Sequence, residues 1–196
     1  MGAAVGVMRT HLRFDDDSSF ELTEQAATAF AGYTTASGWS VRATVGALLG
    51  GGLEREGTPG SHDLRPGLVG GFGVSRQWTL GDGRWFVTGT AAISVAAAST
   101  HEQGASGDHR FVAGDVRAGA IAGRTLATIW NPYVLARAFG GPVWWTVDDM
   151  ATTGTDTRHF QLGAGLSVAM PVGLTVTADV AALGEQAVSL GASWRL

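Results

Sequence analysis

The chain has 196 residues, one domain's worth, of which 45% are hydrophobic and only 15% charged, well under the quarter usual for a soluble surface. Thirty glycines against five prolines, in no triplet repeat, exclude collagen, and the apolar fraction is too high for a disordered chain. With no cysteine, thiol catalysis, disulfide scaffolds and cysteine-ligated metals are excluded; with Arg supplying all thirteen basic residues, so are the Gly-Lys-Ser/Thr phosphate loop and the lysine Schiff base, and a net charge of −4 argues against a nucleic-acid partner.

Apolar residues recur with period two, the spacing of a strand whose faces differ. The pattern predicts about ten strands, over roughly 2–13, 25–36, 39–53, 67–80, 85–99, 111–125, 132–146, 158–170, 174–183 and 187–196. In the third, Val41, Ala43, Val45 and Ala47 oppose Ser40, Arg42, Thr44 and Gly46. The fifth sets Val87, Ala91, Ile93 and Val95 against Thr88, Thr90 and Ser94. In the eighth, Phe160, Leu162, Ala164, Leu166, Val168 and Met170 share a face opposite Gln161, Gly163, Gly165, Ser167 and Ala169. The ninth places Val176, Ala178 and Val180 against Thr175, Thr177 and Asp179; the tenth places Val188, Leu190, Ala192, Trp194 and Leu196 against Ser189, Gly191, Ser193 and Arg195. The longest uncharged stretch, 160–178, alternates and contains Pro171, so no membrane-spanning helix is expected there. If the first two segments are misread, the count falls to eight. No basic stretch followed by an apolar run opens the chain, so any export signal is expected to have been removed.

The connections alternate in length. Short ones fall at Gly38, at Gly81 to Gly83, at 127–131 and at Pro171 to Gly173; long ones span about 14–24, 54–66, 100–110 and 147–157, with a short final one near Gly184 and Glu185. Fourteen of the seventeen acids fall in the second kind: Asp15, Asp16, Asp17, Glu21, Glu24, Glu54, Glu56, Asp63, Glu102, Asp108, Asp148, Asp149, Asp156 and Glu185. Trp39, Trp78, Trp85, Trp130, Tyr133 and Trp194 mark the short-turn rim, and Phe14, Phe111, Trp144, Trp145 and Phe160 the other. Two aromatic belts flanking a band of strands suit a bilayer, whose headgroup level favours amphipathic rings.

An even strand number, tight turns at one end, longer loops at the other and an apolar face between aromatic belts resemble the small bacterial outer-membrane β-barrel proteins, porin-like or OmpA-like. The resemblance is architectural and covers the whole chain, residues 1–196, as a single all-β domain: a closed antiparallel up-and-down transmembrane β-barrel. It implies an integral outer-membrane location with both termini periplasmic and the acidic loops outside the cell. Its most specific part is the final strand, where Val188, Leu190, Trp194 and Leu196 look like the family's assembly signal, although the family usually closes on Phe or Trp. The implied partners are membrane lipid, lipopolysaccharide and the barrel-insertion machinery; no cofactor, metal or nucleic acid is implied.

Arg42, Asp115, Arg117, Arg137 and Asp179 fall on the small or polar face, where ionisable groups at membrane depth meet water or each other. Two readings follow: an internal salt-bridge network that braces and plugs the barrel, or a narrow aqueous path with charge selectivity. Catalytic candidates are Asp108, His109, Asp148 and Asp149, loosely similar to the rim carboxylates and His-Asp pair of ten-stranded outer-membrane proteases, though that family is longer and its motifs are not matched. Arg76, Arg84, Arg124 and Arg195 gather near the short-turn rim, where their charge can reach phosphates. The expected function is thus a small passive pore or structural barrel, with an outer-membrane surface hydrolase (protease-like or lipid-modifying) and a soluble lipocalin-like binding barrel as the alternatives.

Overall fold

A computed structural model describes residues 1–57, 61–102, 107–147 and 150–195. It contains β1 (Gly2–Phe14), β2 (Ser19–Thr34), β3 (Trp39–Arg55), β4 (Ser61–Leu64), β5 (Gly67–Leu80), β6 (Trp85–Glu102) and β7 (His109–Arg124). Then come β8 (Trp130–Gly140), β9 (Pro142–Val147), β10 (Met150–Asp156), β11 (Phe160–Ala169), β12 (Leu174–Gly184) and β13 (Gln186–Trp194). Every pairing among them is antiparallel, and the sheet closes on itself.

Closure happens twice, with different numbers of strands. At the short-turn end the ring runs β1, β2, β3, β5, β6, β7, β8, β11, β12, β13 and back to β1, which is ten strands. Towards the other end it runs β1, β2, β3, β4, β6, β7, β9, β10 and back to β1, which is eight. The difference is the β12–β13 hairpin, which stops part-way up the wall. Gly184 makes its turn with φ +80, a conformation that favours glycine, and a Cβ there would collide with the Phe160 carbonyl. Above that point β1 exchanges partners, its last pair with β13 being Arg9 to Gln186 and its first with β10 being Leu12 to Asp156. The Thr157 N–H donates to the His11 carbonyl at 2.8 Å across the step. At the other end the chain's termini meet: the Met1 amine donates to the Trp194 carbonyl at 2.9 Å, and the Trp194 N–H to the Met1 carbonyl at 2.7 Å.

The ten expected strands are the ten of the wider ring, and most of the expected long loops are wall as well. β2 begins at Ser19, β3 reaches Arg55, β6 reaches Glu102, and β4 and β10 lie in stretches expected to be loop. These segments still alternate, with the sense reversed: Phe20 and Leu22 point in while Glu21 points out. Phe14, Phe111 and Trp145, expected in an aromatic belt, are buried inside for the same reason.

An eight-stranded ring is just wide enough for side chains to fill it. Here Leu12, Phe14, Phe20, Leu22, Leu53, Leu64, Phe111, Val143 and Trp145 form the buried cluster. Phe20 meets Trp145 edge-on at 5.2 Å and Phe14 at 5.7 Å, and His62 stands edge-on to Trp145 at 4.7 Å, the geometry that ring quadrupoles favour. The Trp145 indole N–H is satisfied by Thr100 Oγ1 at 2.8 Å. Phe111 is 0% exposed. Phe111→Ala is therefore expected to lower stability by about 3–5 kcal/mol, and Thr100→Val, which orphans the indole N–H, by about 1–3 kcal/mol. Urea unfolding in detergent, followed by Trp fluorescence, measures both.

Candidate functional site

Below the aromatic cluster the interior turns polar, where the ring widens from eight strands to ten. Arg117 on β7 faces inward and donates through its two terminal nitrogens to Glu185 Oε1 at 2.7 Å and Oε2 at 2.8 Å. Its Nε donates to Asp115, and its guanidinium lies 4.9 Å from the ring of Phe139. Glu185 reaches this position because it is the residue between β12 and β13, tucked in by an N–H bond to the Phe160 carbonyl at 3.1 Å. Gln161 extends the chain of bonds, donating to Glu185 Oε1 at 2.9 Å and accepting from Arg137 at 3.0 Å. Thr10 donates to Asp156 at 2.8 Å in the same layer, and Glu24, the cross-strand partner of Met8, faces it from β2. Gln161 and Glu185 are each only 1% exposed. A two-toothed Arg–carboxylate pair with further hydrogen bonds is the form in which buried charge is tolerated.

Nearer the short-turn end many of the inward residues are small, set between larger ones such as Leu135 and Tyr133. Gly6, Gly71, Gly73, Ser94, Gly163 and Gly191 line the wall there. Asp179 accepts from the Tyr133 hydroxyl and from Ser189 at 3.0 Å, and a side chain at Gly165 would occupy the space of the Tyr133 ring. Arg42 lies 4.3 Å above the ring of Phe30.

The five charged residues expected on the inner face all lie there, in three separate groups. Asp115, Arg117 and Arg137 belong to one network, Asp179 sits with Tyr133, and Arg42 sits with Phe30. Tyr133 was expected among the interface aromatics and instead faces inward, since its neighbours Trp130, Pro132 and Val134 take the outward positions of β8. Trp39, Trp78, Trp85, Trp130, Trp144 and Trp194 are exposed on the outer wall. Val188 and Leu190 are exposed there too, while Leu196 lies outside the described residues.

Among the catalytic candidates, Asp148 and Asp149 lie outside the described residues. Asp108 is met by His101 Nδ1 at 3.2 Å, so its histidine partner is His101 and not the adjoining His109, which opens β7. Among the described residues no three His, Asp or Glu side chains are grouped to hold a metal ion. At the far rim Asp16 accepts from the Ser18 N–H at 3.0 Å and from its hydroxyl, which holds the Asp16 carboxyl below its ordinary value.

Sequence reasoning missed Glu185, Gln161, Glu24 and Asp156, all inward in the polar layer, and placed the three acids in external loops. The signal for Glu24 was present in its parity with Phe20 and Leu22, both apolar. For Glu185 there was none, because a turn residue has no face until the turn's depth in the wall is known.

No family model and no curated protein matches the chain. Solved structures do. The transport unit of the autotransporter AIDA-I from Escherichia coli matches with a TM-score of 0.52 at 10% identity, covering 100% of this chain and 90% of that one. The translocator domain of the autotransporter NalP from Neisseria meningitidis matches with a TM-score of 0.54 at 12% identity, covering 100% and 88%. At such identities the likeness is one of fold, and the fold is a closed antiparallel β-barrel.

Replacing Arg117 by Met leaves Glu185 and Asp115 buried without their cation, so a loss of about 3–5 kcal/mol is expected. Arg117→Lys is expected to recover little of it, because an ammonium cannot grip both carboxylate oxygens as the guanidinium fork does. The double variant Arg117→Met/Glu185→Gln is expected to lose less than the two single losses together, as measured by denaturant midpoints in a double-mutant cycle.

Proposed function

We propose that this chain is an integral outer-membrane barrel that works as a sealed structural barrel carrying a polar external cap, and not as an open pore. One observation carries the reading: along a single strand the two faces exchange character. On β1 the outward residues are Ala3, Val5 and Val7, then Arg9, His11 and Arg13; the inward ones are Gly2, Ala4 and Gly6, then Met8, Thr10, Leu12 and Phe14. An apolar exterior suits hydrocarbon and a charged exterior suits water, so the bilayer ends near Arg9. Beyond it the exterior carries polar pairs, Arg9 with Glu21 at 3.4 Å and His11 with Glu56 at 2.7 Å, and the interior is filled.

In this reading the short turns and both termini face the periplasm, and the eight-stranded ring projects outside. The exposed tryptophans form the interface girdle, and Val188, Leu190 and Trp194 are read by the insertion machinery. Acidic residues on the cap, Asp15, Asp17, Glu54 and Glu56 among them, are placed to bridge to lipopolysaccharide through divalent cations. Arg117 and its partners brace the seal and select no solute. The transport and translocation named for the two autotransporter barrels are not carried over, since a filled ring leaves no path for a chain. A soluble barrel is disfavoured by the lower outer wall, where Val45, Leu68, Ile93 and Val95 are all more than half exposed. The hydrolase reading has an exposed His101–Asp108 pair and no further support among the described residues.

Wild-type protein inserted in a planar bilayer is expected to give no discrete conductance steps. Phe20→Ala/Trp145→Ala is expected to give them, with an ion preference that Arg137→Glu then shifts. Steps from the wild type whose selectivity moves with Arg137→Glu would make the protein a pore and end the sealed reading.

A further inference from the structure

On the outer wall at the short-turn end one arrangement is built twice. Trp39 is the first residue of β3, and its cross-strand partner on β5 is Arg76. Trp85 is the first residue of β6, and its cross-strand partner on β7 is Arg124. Cross-strand partners share a face, and both tryptophans are exposed, so both arginines sit on the outside beside them. The Arg76 guanidinium carbon lies 5.4 Å from the ring of Trp39 and 5.4 Å from that of Trp78; that of Arg124 lies 5.1 Å from the ring of Trp85. Gly89, the partner of Arg76 on β6, leaves room for this packing, since a Cβ there would come within 3.3 Å of the Trp78 ring.

Among the described residues these two guanidinium groups have no carboxylate partner. Three other exposed arginines do: Arg9 meets Glu21 at 3.4 Å, Arg13 meets Asp17 at 2.8 Å and Arg84 meets Asp82 at 3.5 Å. Neither Arg76 nor Arg124 reaches a carboxylate among the described residues, and the Nε of each is buried with no acceptor. Aromatic rings hold a guanidinium plane and shield it from water, but they accept no strong hydrogen bond. What such a group lacks is an oxyanion with paired oxygens, and a phosphate matches the guanidinium fork.

We propose that Trp39, Arg76 and Trp78 form one phosphate-binding site, and Trp85 and Arg124 a second, each taking the phosphodiester of a phospholipid headgroup in the leaflet at the short-turn end. The proposal rests on the membrane reading above and adds which lipid atoms are held and by which side chains. The third short turn supplies an internal contrast: Trp130 is the first residue of β8, and its partner on β11 is Val168, so the ring is present there without the cation.

The test uses the full chain in nanodiscs of phosphatidylcholine and phosphatidylglycerol, with retained phospholipid counted by native mass spectrometry after transfer to detergent. Wild type is expected to retain two phospholipids, and Arg76→Gln and Arg124→Gln one each, with affinity at the altered site falling roughly tenfold or more. Arg84→Gln, at the same rim but on an arginine paired with Asp82, is expected to retain both. Arg76→Lys keeps charge and stem and is expected to fall between wild type and Arg76→Gln, which separates loss of the fork from loss of the fold. Protease protection in the same nanodiscs reports insertion. Inserted wild type and Gln variants with equal retention would overturn the two sites. Displacement of the lipid by millimolar inorganic phosphate would reassign them to free phosphate and overturn the headgroup proposal. Wild type that never inserts would remove the membrane reading, and this proposal with it.

Discussion

Every backbone N–H and C=O at a sheet edge needs a partner, and a ring that closes on itself supplies one along each strand. The rest of this molecule depends on how that constraint is met. Ten strands close the ring at one end, and eight close it at the other. No edge is exposed at the change of number, because β1 passes directly from β13 to β10 while the Gly184–Glu185 turn caps the two strands that stop. The cost of the step is a buried turn, and Arg117 offsets it by taking the Glu185 carboxylate in two hydrogen bonds.

Ring size then determines content. In the narrower ring, large side chains from facing strands meet across the axis, and Phe14, Phe20, Phe111 and Trp145 pack into one buried cluster. In the wider ring many inward positions carry Gly, Ala, Ser or Thr, between larger ones such as Leu48 and Leu135, and charged groups there find aromatic or hydroxyl partners: Arg42 on Phe30, Asp179 with Tyr133 and Ser189. The polar network falls at the boundary between the two regimes, where the wall changes circumference and a turn brings backbone and carboxylate inside.

The half of the barrel with the apolar exterior was legible because its rule is simple: apolar outside, small or polar inside. Val188 against Ser189, or Ile93 against Ser94, states it residue by residue. The other half obeys the opposite rule. The run from Ser19 to Glu24 alternates just as strictly, but Glu21 points out and Phe20 and Leu22 point in, and a high density of acids reads as loop when a loop is already expected there. Parity alone therefore located the ten strands of the wider ring but not β4 and β10, and only the register between neighbours could say which side of each strand is inside. Tyr133 shows the limit, since a tyrosine beside a short turn fits an interface belt until its hydroxyl is seen to meet Asp179, whose place on a neighbouring hairpin no local pattern reveals. Among the interior charges, Arg117 was legible as an inward residue, whereas its partner Glu185 was not, because the pairing depends on where a hairpin ends and not on any spacing along the chain.

Both rings close on β1, the narrower through β10 and the wider through β13. The contacts that seal the barrel are thus among the most distant in the chain, and contacts of that kind form slowly. Until they form, β1 has a partner on one side only, through β2. The strands that close the rings follow β1 by most of the sequence, so the hairpins must hold their own register before any ring exists to enforce it. The aromatic cluster shares this separation: Phe14 and Phe20 lie on the first hairpin and Trp145 on β9, so the cluster is completed only as the narrower ring joins.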